Sequence, residues 1–107
     1  MTTLIYSEQQ NRIHLTKEQM EIILNGCNLN QRGPQKELYR NYYGYAMSIA
    51  LRYSSSHYIA AEMTNDTFLK IYASLRNSVP RQENTVASFT GWFNKVLVSV
   101  CINHLKK

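Results

Sequence analysis

Cysteine is nearly missing from this chain of 107 residues: Cys27 and Cys101 stand far apart and form no CxxC. That spacing excludes a disulfide framework, offers no zinc ligand set and fits a reducing cytoplasm. Glycine-rich phosphate loops, HExxH and GxSxG are absent as well, which removes the patterns of nucleotide binding, zinc proteolysis and serine hydrolysis. The histidines, His14, His57 and His104, fall on separate segments without a second ligand at metal spacing, and read as surface or helix-end residues. No enzyme activity, cofactor or metal is expected. No segment approaches the ~18 apolar residues of a membrane helix, and residues 1–10 lack a cationic start followed by an apolar run. The expectation is an unexported cytoplasmic protein without membrane insertion. Acidic residues run short in one place. After residue 69, Glu83 stands alone against Lys70, Arg76, Arg81, Lys95, Lys106 and Lys107, so the whole formal charge of +5 resides in the C-terminal third. Cations interleaved with aromatics and amides favour a polyanionic partner, nucleic acid before membrane.

What the chain does contain is helical periodicity, in a length that suits one domain. Residues 1–15 are polar and aperiodic, a flexible lead, and 16–107 form the domain. Thr16 can cap a short helix, with Gln19 completing a capping box, Met20, Ile23 and Leu24 as its apolar face, and Gly26 as its stop. Gly33-Pro34 starts a second helix with Pro in the first turn. Leu38, Tyr42, Tyr45, Ile49 and Tyr53 then recur at helical spacing, up to the Ser54-Ser55-Ser56 break. Ser56 caps a third helix reaching about Arg76, with Ala60, Thr64, Phe68, Ile71, Tyr72 and Leu75 as its core arc. Residues 77–88, containing Val79-Pro80 and few large apolar groups, read as a loop of a size that often carries function. Strand alternation, internal repeats and low-complexity tracts are absent. The fold class is all-α: a compact bundle of three long helices plus a short N-terminal one.

Two helix faces carry more than packing. On the third helix Glu62, Asn65, Asp66, Leu69, Ala73 and Arg76 fall together, setting an apolar Leu69 among polar neighbours. Leu69 is either a tolerated surface hydrophobe or the centre of a small protein-binding patch. Glu62 and Asp66 form an i,i+4 acidic pair that reads as a solvated edge before it reads as an acid/base or metal site. On the final helix, 89–107, Trp92, Lys95, Ser99, Asn103 and Lys106 share one narrow polar stripe. The other faces are mostly apolar, so this helix is expected to lie deep in the bundle and show only that stripe. A basic, amide-bearing strip is either a reading surface or the solvated edge of a C-terminal helix.

Four segments resemble region 2 of the sigma-70 family of RNA polymerase sigma factors. They are Gln35-Lys36-Glu37-Leu38-Tyr39-Arg40-Asn41-Tyr42-Tyr43, then Leu51-Arg52-Tyr53, then Glu62-Met63-Thr64-Asn65-Asp66-Thr67-Phe68-Leu69-Lys70-Ile71-Tyr72, then Phe89-Thr90-Gly91-Trp92-Phe93. The likeness runs over about residues 20–107 and is greatest to the extracytoplasmic-function group in the form common among Bacteroidetes. It implies a transcription initiation domain with two partners. Core RNA polymerase would be bound, at the clamp coiled coil of its largest subunit, through the outward positions Glu62, Asn65, Asp66 and Leu69. Promoter DNA would be opened and read at the minus-ten element by the final helix and the loop before it. Single-strand capture needs cations for phosphates, a ring for stacking or propping the junction, and amides or hydroxyls for base edges. Arg81, Lys95, Lys106 and Lys107, then Trp92, then Asn84, Ser99 and Asn103 supply these types. An anti-sigma factor is a third partner in members that have one.

The chain departs from the family pattern in places. Many members carry Asn at the position of Ser99 and Asp at that of Asn103, so the preferred promoter bases do not transfer. Trp92 has a second role open to it, packing under the loop. The resemblance also implies that region 4, which reads the minus-35 element, is absent from this chain. A rival reading keeps the helical bundle but makes it a protein-interaction module without direct DNA contact, in which the Lys95-Ser99-Asn103-Lys106 stripe is merely solvated. On the main reading the two working surfaces lie on opposite sides of the body.

Overall fold

The computed structural model of the chain describes residues 13–78 and 85–106. Among the described residues there are four helices: α1 Lys17–Asn28, α2 Arg32–Tyr53, α3 His57–Asn77 and α4 Thr85–Leu105. Each packs against the other three. Among the described residues no strand occurs, and the all-α expectation holds. The expected lead falls mostly in 1–12, outside the described residues.

The caps form where their chemistry predicts. Thr16 accepts from the Gln19 amide at 3.1 Å while the Gln19 side chain accepts from the Thr16 amide at 2.9 Å, the reciprocal pair of a capping box. Ser56 accepts from the Ile59 amide at 3.2 Å and opens α3. Gly26 does not end α1. It sits buried inside the helix, where a Cβ would lie 2.1 Å from Cγ of Pro34, so only glycine admits the first turn of α2 at this crossing. The stop comes later, at Asn30. With φ of 59° it adopts the left-handed conformation, its amide donates to Cys27 O at 3.0 Å, and that of Gln31 donates to Gly26 O at 2.9 Å. These two bonds are a Schellman motif with Asn in place of the usual glycine.

The core of α2 is rotated from the expected stripe. Leu38, Tyr42, Ala46 and Ala50 are fully buried, whereas Tyr45, Ile49 and Tyr53 pack on its flanks and stay partly exposed. The centre thus mixes Leu38 and Tyr42 with two alanines, and Tyr45, Ile49 and Tyr53 cover the rim. On α3 the arc gains Met63 and Thr67 beside Ala60, Thr64, Phe68, Ile71 and Leu75, while Tyr72 moves to the edge. Thr67 is accommodated by donating its hydroxyl to Met63 O at 2.8 Å, and Thr64 by donating to Met47 Sδ at 3.4 Å. Asn28 at the end of α1 donates to Leu75 O at 2.8 Å and ties that end to the last turns of α3.

Aromatic rings fill the centre. Phe93 lies 5.0 Å from Tyr42, 5.3 Å from Phe68 and 6.1 Å from Phe89, joining three helices. The Tyr42 and Thr90 hydroxyls share a hydrogen bond of 2.6 Å. Burial pushes the Tyr42 phenol up to about 12, with the Thr90 bond pulling the other way.

The final helix differs from expectation in two respects. It begins at Thr85, so 85–88, read as loop, are helical. It is also amphipathic rather than sunken: Phe89, Phe93, Leu97, Val100 and Cys101 face inward, but Ile102 is 41% and Leu105 58% exposed beside the polar stripe. Helix α4 is moreover long and apolar enough to cross a membrane by length and composition, which corrects the expectation that no segment approaches that size. Its apolar inner face is packed against the other three helices, as in the core helix of a bundle.

Candidate functional site

Helix α3 presents Glu62, Asn65 and Leu69 outward, all exposed, with Asp66 half-exposed among them. Leu69 is 66% exposed, which leaves an uncovered apolar group in a polar setting. Two side chains in this patch are held by other helices. The Tyr39 hydroxyl of α2 donates to Asn65 Oδ1 at 3.2 Å. Asp66 Oδ2 lies 2.8 Å from His104 Nε2, in the last turn of α4, where the ring is largely covered while the carboxylate keeps about half its surface in water. Asp66 is therefore not simply part of a solvated acidic edge with Glu62. The patch pairs two pinned polar groups with an apolar one a turn further along, and contacts from α2 and α4 hold its polar part.

Along the outer side of α4 runs an open depression of about 500 Å³, lined among others by Lys95, Ser99, Asn103 and Lys106. Four of the five stripe residues are thus brought together. Sequence reasoning missed Asn94, Val98 and Ile102, which line the same depression and give it an apolar side. Asn94 stands next to Lys95 and one turn before Val98, at the edge of the expected stripe. Lys95 and Lys106 are exposed and about 16 Å apart along the axis. Trp92 is not in the depression: it is half-buried, with its ring edge-on to Phe89 at 5.6 Å. Arg81, Asn84 and Lys107 lie outside the described residues.

The Asp66–His104 pair has a geometric consequence. His104 follows Asn103 directly in the chain, so the two candidate surfaces meet at the end of α4 instead of lying on opposite sides of the body. His104 gave no sequence signal beyond its helix-end position, because its partner is thirty-eight residues away. Among the described residues no group of three His, Cys, Asp or Glu side chains could hold a metal ion.

Residues 38–107 match the family model described as Sigma-70 region 2. The chain belongs to this family. The match covers α3, α4 and most of α2. Comparison with curated proteins and with solved structures gave no match. A Sigma-70 region 2 domain is a sigma factor domain of transcription initiation, a partner of RNA polymerase and not a member of an enzyme family.

Proposed function

We propose that this sigma factor domain docks on core RNA polymerase, at the clamp coiled coil of the largest subunit, through Glu62, Asn65, Asp66 and Leu69. With Trp92 and the Lys95, Ser99, Asn103 and Lys106 face it then holds an opened strand of the promoter's minus-ten element. Arg81, Asn84 and Lys107 extend that DNA surface on sequence grounds. The same reading puts the domain in the cytoplasm, within the extracytoplasmic-function group, and leaves an anti-sigma factor as a third partner. The observation that carries it is Leu69, an exposed leucine one helical turn beyond two polar side chains held in place by other helices. An apolar anchor framed by preorganised polar groups is the composition of an interface centre.

Leu69→Arg removes the anchor without touching the core. Recovery of purified core polymerase by the full chain should fall about tenfold or more relative to wild type, a typical loss at an interface anchor. Circular dichroism should be unchanged. Equal recovery at matched concentration sinks the docking assignment.

Holding an unstacked strand costs a few kcal/mol per step, which phosphate neutralisation and pocket contacts must jointly offset. Affinity of the isolated domain for DNA is therefore weak and falls with salt. Each phosphate contact on a single strand contributes about 0.7 to the slope of log affinity against log salt. The double variant Lys95→Ala/Lys106→Ala should lower that slope by about 1.4 on melted minus-ten oligonucleotides. An unchanged slope, with DNA-dependent transcription intact, favours the protein-interaction module.

A further inference from the structure

The first half of α2 carries Arg32, Lys36 and Arg40 at four-residue intervals, all exposed. Four residues rise about 6 Å along a helix, so these cations form a row about 12 Å long. Beside the row lies an open groove of about 740 Å³ whose apolar wall comes from Tyr39, Tyr43 and Tyr72. Glu37 meets Arg40 at 3.2 Å, an exposed i,i+3 contact weak enough to be exchanged for an incoming carboxylate.

The tyrosines decide what the groove accepts. Tyr39 is packed 4.7 Å from Phe68 and 5.1 Å from Tyr43, and Tyr72 lies 6.0 Å from Phe68. Two phenol tips are engaged: Tyr39 donates to Asn65 Oδ1, and Tyr72 donates to Gln35 O at 2.9 Å. Capture of single-stranded nucleic acid uses ring faces free to stack on bases. Here the rings lean on other rings, so they offer a hydrocarbon wall next to a line of positive charge. That combination fits an amphipathic helix with carboxylates on one edge and apolar side chains on the next. Carboxylates at i, i+4 and i+8 repeat the rise of the cation row. Alternate residues of an extended peptide stand about 6.7 Å apart and drift about 1.4 Å out of step over the same length.

We propose that this groove is a docking site for an acidic amphipathic helix of a protein partner. It borders the polymerase patch at Asn65 but uses its own charges, and it does not depend on the docking or DNA assignments above. The test uses the full chain, isotopically labelled, titrated at low ionic strength with three probes. One is a synthetic helical peptide of about four turns with glutamates at every fourth position and leucines alongside; the others are its glutamine twin and an oligo-dT strand. The acidic peptide should shift the resonances of Tyr39, Tyr43, Tyr72 and the three cationic residues. Arg32→Glu/Lys36→Glu, both on exposed side chains, should weaken it about tenfold with circular dichroism unchanged. Equal binding by the glutamine twin, shifts centred on another surface, or preferential occupation of the groove by oligo-dT each overturns the proposal.

Discussion

Phe93→Ala should remove about 3–5 kcal/mol of stability, a large part of the roughly 5–15 kcal/mol that holds a domain of this size together. The side chain is fully buried and is the ring through which α4 meets α2 and α3. Truncation deletes its burial and leaves a void lined by Tyr42, Phe68 and Phe89, rings anchored on three different helices that cannot all close in. The tilted and edge-on contacts add about 0.5–1.5 kcal/mol per pair beyond area. In a domain of about 100 residues each kcal/mol moves the midpoint by about 4–8 °C, so thermal unfolding should begin at least about 12 °C lower. Phe93→Leu, which fills most of the volume, should lose much less. A loss under 1 kcal/mol for Phe93→Ala in urea melts would mean the centre is far more plastic than its packing implies.

Alkali should unfold the domain between about pH 10 and 12. Burial pushes the Cys27 thiol from 9.0 to about 11 and the Tyr42 and Tyr72 phenols from 10.0 to about 12. All three are acids whose folded values exceed their unfolded ones. Below pH 9 every one is protonated in both states and contributes no pH dependence. As pH rises through the unfolded value, the open chain releases protons that the native state retains. Stability then falls by about 1.4 kcal/mol per pH unit for each group until the folded value is reached. The fall is steepest where the Cys27 window overlaps those of the phenols, from pH 10 to 11, with the Tyr72 share reduced by solvent at its partly exposed ring. Several kcal/mol lost over this range is enough to exhaust a marginal domain. Tyr42→Phe should flatten the alkaline limb while giving up its bond to Thr90 at neutral pH. Constant stability from pH 8 to 11.5 would contradict the burial of these groups.

Much of this was legible in the sequence wherever a local rule decides. The Thr16–Gln19 box and the Ser56 cap follow from side chains within three residues of the amides they bond, and both occur. Outward Leu69 and exposed Lys95 and Lys106 follow from turn geometry alone, and they too occur. What escaped depends on neighbours distant in the chain. Gly26 reads as a stop until Pro34 is seen to occupy the space of its missing side chain. Tyr45 and Ile49 are larger than Ala46 and Ala50 and fit the helical stripe equally well, and only the packing of the other helices shows that the small pair is the one enclosed. His104 has no local signature at all, because Asp66 reaches it from another helix. The cationic groove escaped for a related reason: Arg32, Lys36 and Arg40 are visible as a row, but Tyr72 completes the wall from α3.

Cys27 and Cys101 are both fully enclosed, and burial raises both thiols, so neither presents a reactive thiolate while the helices stay together. An alkylating reagent in solution should find no target until α1 or α4 lifts away. The two sulfurs thus form a built-in clock for spontaneous opening, one on α1 and one on α4. Comparing their modification rates tells which end of the bundle comes loose first.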